Sequence, residues 1–337
     1  MDYAPFPISL RQLQYVVAVA ETKNFRRAAE RCHVSQPSLS SQIAALETAL
    51  GGRLFERDQR GVLITKAGEA VLRRARAVLV EARDLVETSK HYADPLVGTL
   101  RLGVIPTLGP YLVPAIDPAL RCEFDGLSIL WTEDKTEALI ERIAHGKLDG
   151  AFLALEGELG DVDIALVGQD PFVFACAKTH ALARGKGSVK LQALRDQHVL
   201  LLDDGHCFRN QALEFCSAAG AAELGFRATS LATLVQMVAS GTGVTLLPKI
   251  ALDVENRNGL LAVRQIAPPA PSRTIVLAWR RGSGLADALR GLATAARVVY
   301  AASHPGSSMR SKALQPMVDR RNRREPRTSR AQKRLQG

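Results

Sequence analysis

The chain has 337 residues, 47% of them hydrophobic, so it can bury a sizeable core, and its length points to two or three domains. The formal net charge is +10, but residues 305–337 carry ten Lys or Arg against two acids, a net of +8, which leaves +2 for everything before them; the basic balance therefore describes a tail and is by itself weak evidence for a nucleic-acid partner. No apolar run approaches the roughly 18 residues of a membrane helix, and Met1 to Leu10 lacks the basic-then-apolar order of a secretory signal, so a cytoplasmic chain without a membrane partner is expected.

Up to about Lys66 the sequence reads as short helices with tight connections. One helix is expected from Phe25 to Cys32, with Phe25, Ala28, Ala29 and Cys32 on one face. A second opens at Ser35-Gln36-Pro37, a small polar residue before Pro being a good helix start. Leu39, Ile43, Leu46 and Leu50 then recur at helical spacing and predict a buried stripe. The opposite face carries Ser38, Ser41, Gln42 and Ala45. Short hydrogen-bonding side chains suit a helix lying close in a major groove, and Ser or Gln near its start can hold phosphates. The same pattern also fits a small helical bundle with a solvated polar face.

From Lys66 to about His91 there is one long helical pattern, free of Gly and Pro after Gly68. Val71, Ala75, Val78, Ala82 and Leu85, with Leu72, Leu79 and Val86, form an apolar seam. Such a seam suits a helix pairing with its own copy, or one packed on its own domain. At 1.5 Å per residue it spans roughly 39 Å.

Between Pro95 and about Ala302, strand-like and helix-like runs alternate, which implies βαβ units and parallel sheets. Strands are expected at Thr99–Ile105, Gly150–Leu155, Phe172–Ala177, Val244–Leu247 and Thr274–Trp279, and helices at Glu137–Ile143 and Leu231–Ala239. This texture fits one sheet or two small lobes around a cleft. The last stretch is polar, basic and nearly without aromatics, so disorder is expected there.

Five cysteines, Cys32, Cys122, Cys176, Cys207 and Cys216, form an odd set. In a cytosolic chain they are expected to be catalytic, redox-sensing or inert. Cys207 follows the turn Asp203-Asp204-Gly205, sits beside His206 and Arg209, and precedes a helix expected at Gln211–Ala219. Cationic neighbours and a helix N-terminus favour a thiolate, which peroxide can oxidise to a sulfenic acid that a second thiol resolves. Cys216 falls on the inward face of that helix with Ala212, Phe215 and Ala219. If the segment between the two cysteines were helical, their Cα atoms would lie about 13 Å apart, whereas a disulfide allows no more than about 7 Å. A bridge there would force refolding, which is the making of a two-state switch. Cys216 also fits a small core hydrophobe, and Cys207 a plain loop thiol. Cys32, Cys122 and Cys176 are assigned no role. With no paired CxxC and no second ligand pair near His206-Cys207, no metal or other cofactor is expected.

The run Phe25-Arg26-Arg27-Ala28-Ala29, then Val34-Ser35-Gln36-Pro37-Ser38-Leu39-Ser40-Ser41-Gln42-Ile43, Leu46-Glu47, Leu50-Gly51, Leu54-Phe55-Glu56-Arg57 and Thr65-Lys66-Ala67-Gly68 resembles the winged helix-turn-helix of LysR-type regulators. Gly205-His206-Cys207 with Arg209, Gln211-Ala212 and Phe215-Cys216 is similar to the hydrogen peroxide-sensing branch of that family. So are Phe226–Leu234, Gly243–Pro248 and Gly103–Leu112. The likeness runs from about residue 8 to 295.

The resemblance implies a winged helix-turn-helix at 8–65, a linker and dimerisation helix at 66–93, a two-lobed, periplasmic-binding-protein-like α/β effector domain at 95–302, and a basic tail at 303–337. The chain is expected to cross between lobes near Gly168 and Pro268. DNA would be met by Ser35, Gln36, Pro37, Ser38, Ser41 and Gln42, with Arg57 and Arg60 of the wing on phosphates. Cys207 would be the peroxide-reactive thiol and Cys216 the resolving one, with Thr107, Thr136, His206 and Arg273 holding peroxide and thiolate. The implied function is a peroxide-activated regulator of antioxidant genes, not an enzyme, working as a homodimer or homotetramer with promoter DNA and RNA polymerase. The rival is a regulator of the same family answering a metabolite between its lobes. Asn210 departs from the pattern, which has an acid there, and the basic tail has no counterpart in it.

Overall fold

The computed structural model describes residues 6–58, 61–91, 98–155, 159–185 and 187–304. The tail expectation, Arg60 and the side chain of Arg57 lie outside what it describes.

The head is built from α1 (Leu10–Thr22), α2 (Phe25–Arg31) and α3 (Gln36–Leu50), followed by the hairpin β1 (Phe55–Asp58) and β2 (Gly61–Ile64). Each helix start has a local cause. Ser9 and Gln12 form a reciprocal capping box, Asn24 caps Arg27, and Ser35 accepts from the Ser38 amide at 3.3 Å with Pro37 in the first turn. Val16, Val19, Phe25, Ala28, Leu39, Ile43, Leu46 and Phe55 form the small core, with Phe25 and Phe55 edge to face. Leu50 was expected in this stripe but is 43% exposed. It ends α3 next to Gly51 and joins Ile8, Leu13, Val71 and Val78 along an apolar groove.

The long α4 (Lys66–His91) divides the apolar seam between two surroundings. Leu72 and Ala75 are buried against the head, while Val78, Leu85 and Val86 are exposed. The first part thus packs on its own domain, and the second is left facing outward.

The remaining elements are β3 (Gly98–Val104), α5 (Gly109–Glu123), β4 (Leu127–Glu133), α6 (Thr136–Ala144), β5 (Gly150–Leu155), β6 (Val162–Ala177), β7 (His198–Leu202), α7 (Cys207–Ala218), β8 (Ala222–Ala228), α8 (Leu231–Ala239), β9 (Val244–Pro248), α9 (Leu252–Glu255), β10 (Leu261–Gln265), β11 (Ser272–Arg280) and α10 (Ala286–Ser303). The strand order β4-β3-β5-β11-β6-β9-β7-β8, with β10 also on β6, resolves the choice between one sheet and two lobes. In one lobe β3 lies parallel to β4 and β5, in the other β7 lies parallel to β8 and β9.

The lobes share β6. Its first part, Val162–Pro171, pairs with β11 of the first lobe, and from Phe172 onward it pairs with β9 of the second. The first crossing therefore falls at Pro171–Phe172, slightly beyond Gly168, and the second lies between β10 and β11, where Pro268 sits. Gly168 has a different duty: the Tyr300 ring of α10 lies where its Cβ would be, and the Tyr300 hydroxyl donates to Gln169 O at 3.0 Å.

Candidate functional site

Cys207 is the first residue of α7, with His206 in the N-cap position and no side-chain cap. The helix begins four residues before its expected start at Gln211, so the whole Cys207–Cys216 segment is helical. The two thiols are then separated along the axis by about 13 Å. Cys207 is 8% exposed and Cys216 3%. Burial pushes the Cys216 thiol up to about 12, which makes it a poor nucleophile while α7 is intact.

The surroundings correct the expected electrostatics. His206 is buried, and desolvation together with the Lys135 ammonium holds it below its ordinary value, so at neutral pH it is not a cationic neighbour of the thiol. The Arg209 fork is already engaged: Nε donates to Asp204 at 2.9 Å, Nη1 to Leu202 O at 3.1 Å, and Nη2 to Glu223 at 2.9 Å. Arg227 pairs with Asp204 as well. The positive features that remain are the N-terminus of α7 itself and Lys135 from the other lobe. Lys135 Nζ donates to Asp204 O at 2.6 Å. Gly205 permits this approach, since at φ +85° a Cβ there would meet the Lys135 side chain at 2.9 Å.

The expected pocket residues fall into two groups. Thr136, in the first turn of α6, lines a cavity of about 420 Å³ together with Cys207, Gly205 and Asn210. Its Oγ1 is buried and unpartnered, as is Gln211 Oε1 one turn after Cys207. Thr107 and His206 instead line a second space of about 420 Å³ between the lobes, with Tyr111, Glu133, Lys135, Asp203, Ser230 and Glu255. Tyr111 donates to Glu255 across it at 2.6 Å.

Arg273 stands behind Thr107. Nη1 donates to Thr107 Oγ1 at 2.7 Å, Nη2 to Thr107 O at 2.9 Å, and Nε to Asp170 at 2.9 Å. Both ionic partners are fully buried. Asp170 also accepts from the Ile250 amide at 3.0 Å. The guanidinium lies 5.9 Å from the Phe208 ring, which meets Phe172 edge to face. Arg273 therefore touches the reactive segment through Phe208, next to Cys207. Asp170 was missed in the sequence; an acid inside the apolar run of β6 was the available signal. Lys135 and Glu223 had none, since their partners lie on other elements.

In the head, Ser35, Gln36, Pro37, Ser38, Ser41 and Gln42 are all exposed on the start and outer face of α3. Gln42 Oε1 accepts from Gln12 at 3.2 Å. Glu47, on the inner side, accepts from the Leu54 and Phe55 amides at 2.7 and 3.3 Å and so fixes where the hairpin leaves α3. Among the described residues no His, Cys, Asp and Glu cluster could hold a metal, and no helix is long and apolar enough to cross a membrane.

Comparison with known proteins bears on both ends of the chain. Residues 10–69 match the model of the bacterial regulatory helix-turn-helix protein, lysR family, and residues 93–300 that of the LysR substrate binding domain. The DNA-binding transcriptional dual regulator OxyR of Escherichia coli K12 is 42% identical over 292 residues, covering 86% of this chain and 95% of that one. A probable hydrogen peroxide-inducible genes activator of Streptomyces viridosporus is 43% identical over 293 residues, 86% and 93%. Among solved structures, a cysteine-to-aspartate variant of full-length OxyR from Pseudomonas aeruginosa aligns with a TM-score of 0.70 at 34% identity, covering 86% of this chain and 98% of that one. A cysteine-to-serine mutant of Corynebacterium glutamicum OxyR with hydrogen peroxide bound aligns at 0.60 and 34%, covering 89% and 96%.

Proposed function

Because the chain belongs to the LysR family of transcription regulators, we propose that it is a cytoplasmic, DNA-binding sensor of hydrogen peroxide that governs antioxidant genes through a Cys207–Cys216 switch. The observation that carries this is the placement of α7. One thiol stands at the helix start and lines a cavity together with Thr136, whose hydroxyl is orphaned, and the other is buried on the same helix.

The thiolate of Cys207 attacks one peroxide oxygen; the O–O bond breaks, and the departing oxygen takes a proton and leaves as water. In this reading the unpartnered Thr136 hydroxyl hydrogen-bonds the peroxide, and neutral His206, adjacent to Cys207 in the chain, takes up or returns its proton. Thr107, oriented by Arg273, acts from the neighbouring space between the lobes, which His206 also lines. The resulting Cys207 sulfenic acid is then attacked by Cys216, releasing a second water. That second step needs α7 to unwind, which exposes Cys216 and lets its thiol ionise. Unwinding moves Phe208, and through it the contacts of both lobes. Oxidation is stoichiometric signalling, not turnover.

The 66–93 helix pairs two copies through Val78, Leu85 and Val86, so that two heads read two half-sites in a homodimer or homotetramer. Gln36, Ser38, Ser41 and Gln42 face the groove; Ser35 and Pro37 shape the helix start; the hairpin that carries Arg57 is the wing that meets phosphate. RNA polymerase is the downstream partner.

The test is quenched-flow mass spectrometry of thiol state, paired with DNA footprinting. Wild type should form an intrachain Cys207–Cys216 disulfide and change its footprint. Cys216→Ser should stop at the sulfenic acid, and Cys207→Ser should be blind to peroxide. A Cys207→Ser protein that still switches with peroxide would refute the mechanism. The space between the lobes favours a second reading, a metabolite regulator; a footprint change that needs an added small molecule and no thiol would establish it.

A further inference from the structure

The helix α6 has a different neighbour at each end. Its start lies at the reactive loop. Thr136 opens it and lines the same cavity as Cys207, and Lys135, its N-cap residue, donates from Nζ to Asp204 O of the other lobe at 2.6 Å. Its end lies against the head and α4. Lys147 Nζ meets Glu21 of α1 at 3.0 Å, and Glu21 pairs at 2.8 Å with Arg31, the last residue of α2. Gly146 sits so close to α4 that a Cβ there would lie 2.8 Å from Val80 Cγ2 and would overlap the Arg83 side chain; Val80 is buried. Arg280 of β11 adds a second ion pair to α4, with Glu81 at 2.7 Å.

The stretch between the two ends is stiff. Leu139 and Ile143 anchor α6 in the core of the first lobe. Gly146 closes the helix in the left-handed region at φ +62°, and the Gly146 and Lys147 amides donate to Ile143 O and Arg142 O at 2.9 and 2.8 Å. The residues that touch the head are thus fixed to the helix by its own closing hydrogen bonds, and its nine residues make a rod about 14 Å long.

We propose that α6 and its closing turn couple the thiol to the head within one chain: the turn at 145–147 is a docking surface for α1 and α4, and a shift of the loop at 204–205 reaches the head through it. This rests on the reading of Cys207 and Cys216 as the switch. When α7 unwinds, the carbonyl that Lys135 holds moves, and a stiff helix seated at both ends carries that movement to the turn. The seat on the head is close but releasable. Lys147 is 55% exposed and Glu81 68%, so water replaces either pair when it parts, while Gly146 sets how near the lobe comes to α4. A head that shifts against its own lobe changes how it meets DNA without any new contact between copies.

The experiment footprints the full-length protein on operator DNA, fully reduced and fully oxidised by hydrogen peroxide, and measures the rate of Cys207 oxidation beside it. Wild type should give two different footprints. Lys147→Glu sets an anion against Glu21. Gly146→Asn keeps a residue that tolerates the left-handed backbone, while its side chain holds the lobe off α4. Each variant should oxidise at the wild-type rate and bind operator, yet give the same footprint in both states. Lys147→Arg, which keeps the charge, should retain the wild-type change. Either loss variant oxidising and still changing its footprint as wild type does would overturn the proposal and leave the peroxide-sensing reading intact. Loss of oxidation or of all operator binding in both variants would also overturn it, giving the contact a structural role alone. If wild type forms the disulfide without changing its footprint, or forms none, the underlying reading fails first and the coupling with it.

Discussion

Two charged clusters meet at the first turn of α7, and they differ in how completely they are closed. Around Arg273, the partners Asp170 and Thr107 are buried, and the ion pair has no solvent-exposed side-chain surface. Around Arg209, the guanidinium is buried but its partners are not: Asp204 is 69% exposed and Glu223 27%. A closed cluster has one arrangement, because removing any member strands a charge in a low-dielectric interior. An open cluster can let go, because water replaces what is lost. The first joins the crossing strands of the two lobes; the second fastens the start of the helix that the proposed switch would unwind. The molecule thus places a fixed pivot directly behind a releasable restraint.

Breaking the pivot should have the largest effect. Asp170→Ala leaves Arg273 uncompensated and should cost about 3–5 kcal/mol, read as a large fall in the thermal unfolding midpoint. Adding Arg273→Leu should recover a substantial part. A single-variant cost under about 1 kcal/mol would place this cluster in the same class as the exposed one.

Loosening the restraint should cost little and speed the switch. Glu223→Gln removes one anchor of Arg209 and should lower stability by about 1 kcal/mol or less, while Cys207–Cys216 disulfide formation after sulfenic acid becomes faster. Unchanged or slower closure would show that the network does not hold α7 in place.

How much of this could be read in advance depends on where each element's causes lie. The helix at Leu231–Ala239 and the strand at Gly150–Leu155 match their expected bounds residue for residue. Ser230 caps the one, accepting from Thr233 at 3.2 Å, and an unbroken apolar run makes the other. In α5 the local signal points the wrong way: Pro114 and Pro118 lie inside the helix, each removing a backbone donor. It folds as a helix because Tyr111, Leu112, Ile116 and Leu120 are buried beneath it. The early start of α7 was hidden for a related reason, since His206 offers no side-chain cap and the turn is held by burial of Cys207 and Phe208 and by the bonds of Arg209 to Asp204, Leu202 and Glu223. In the site, Cys207 and Cys216 were visible because both fall in one short motif, nine residues apart. The Asp170–Arg273 pair, 103 residues apart, was not. The lowered value of His206 was hidden too, because it comes first from burial in the folded chain and then from Lys135 of the facing lobe.

The smallest predicted effect concerns that cross-lobe cation. His206 has a lowered value in the folded chain, so the neutral form belongs to the folded state. Its contribution is therefore complete above about pH 6.5 and is eroded as pH falls below that, when the unfolded chain takes up the proton first. Titration of the His206 ring by NMR should give a midpoint below the free value, and Lys135→Met should move it upward. No movement would mean that burial alone sets it and that Lys135 adds nothing to the site.

The sharing of β6 has a mechanical consequence. Sixteen residues of continuous strand act as a common spine, so neither lobe can translate away from the other without shearing hydrogen bonds on both sides. The freedom that is left is rotation about the spine at Pro171–Phe172, with the return segment before β11 crossing beside it. A change begun at α7, as proposed above, would be delivered to the first lobe as torque rather than as displacement. Its output would be an angle, and in the proposed dimer an angle carried along α4 would set the spacing of two heads.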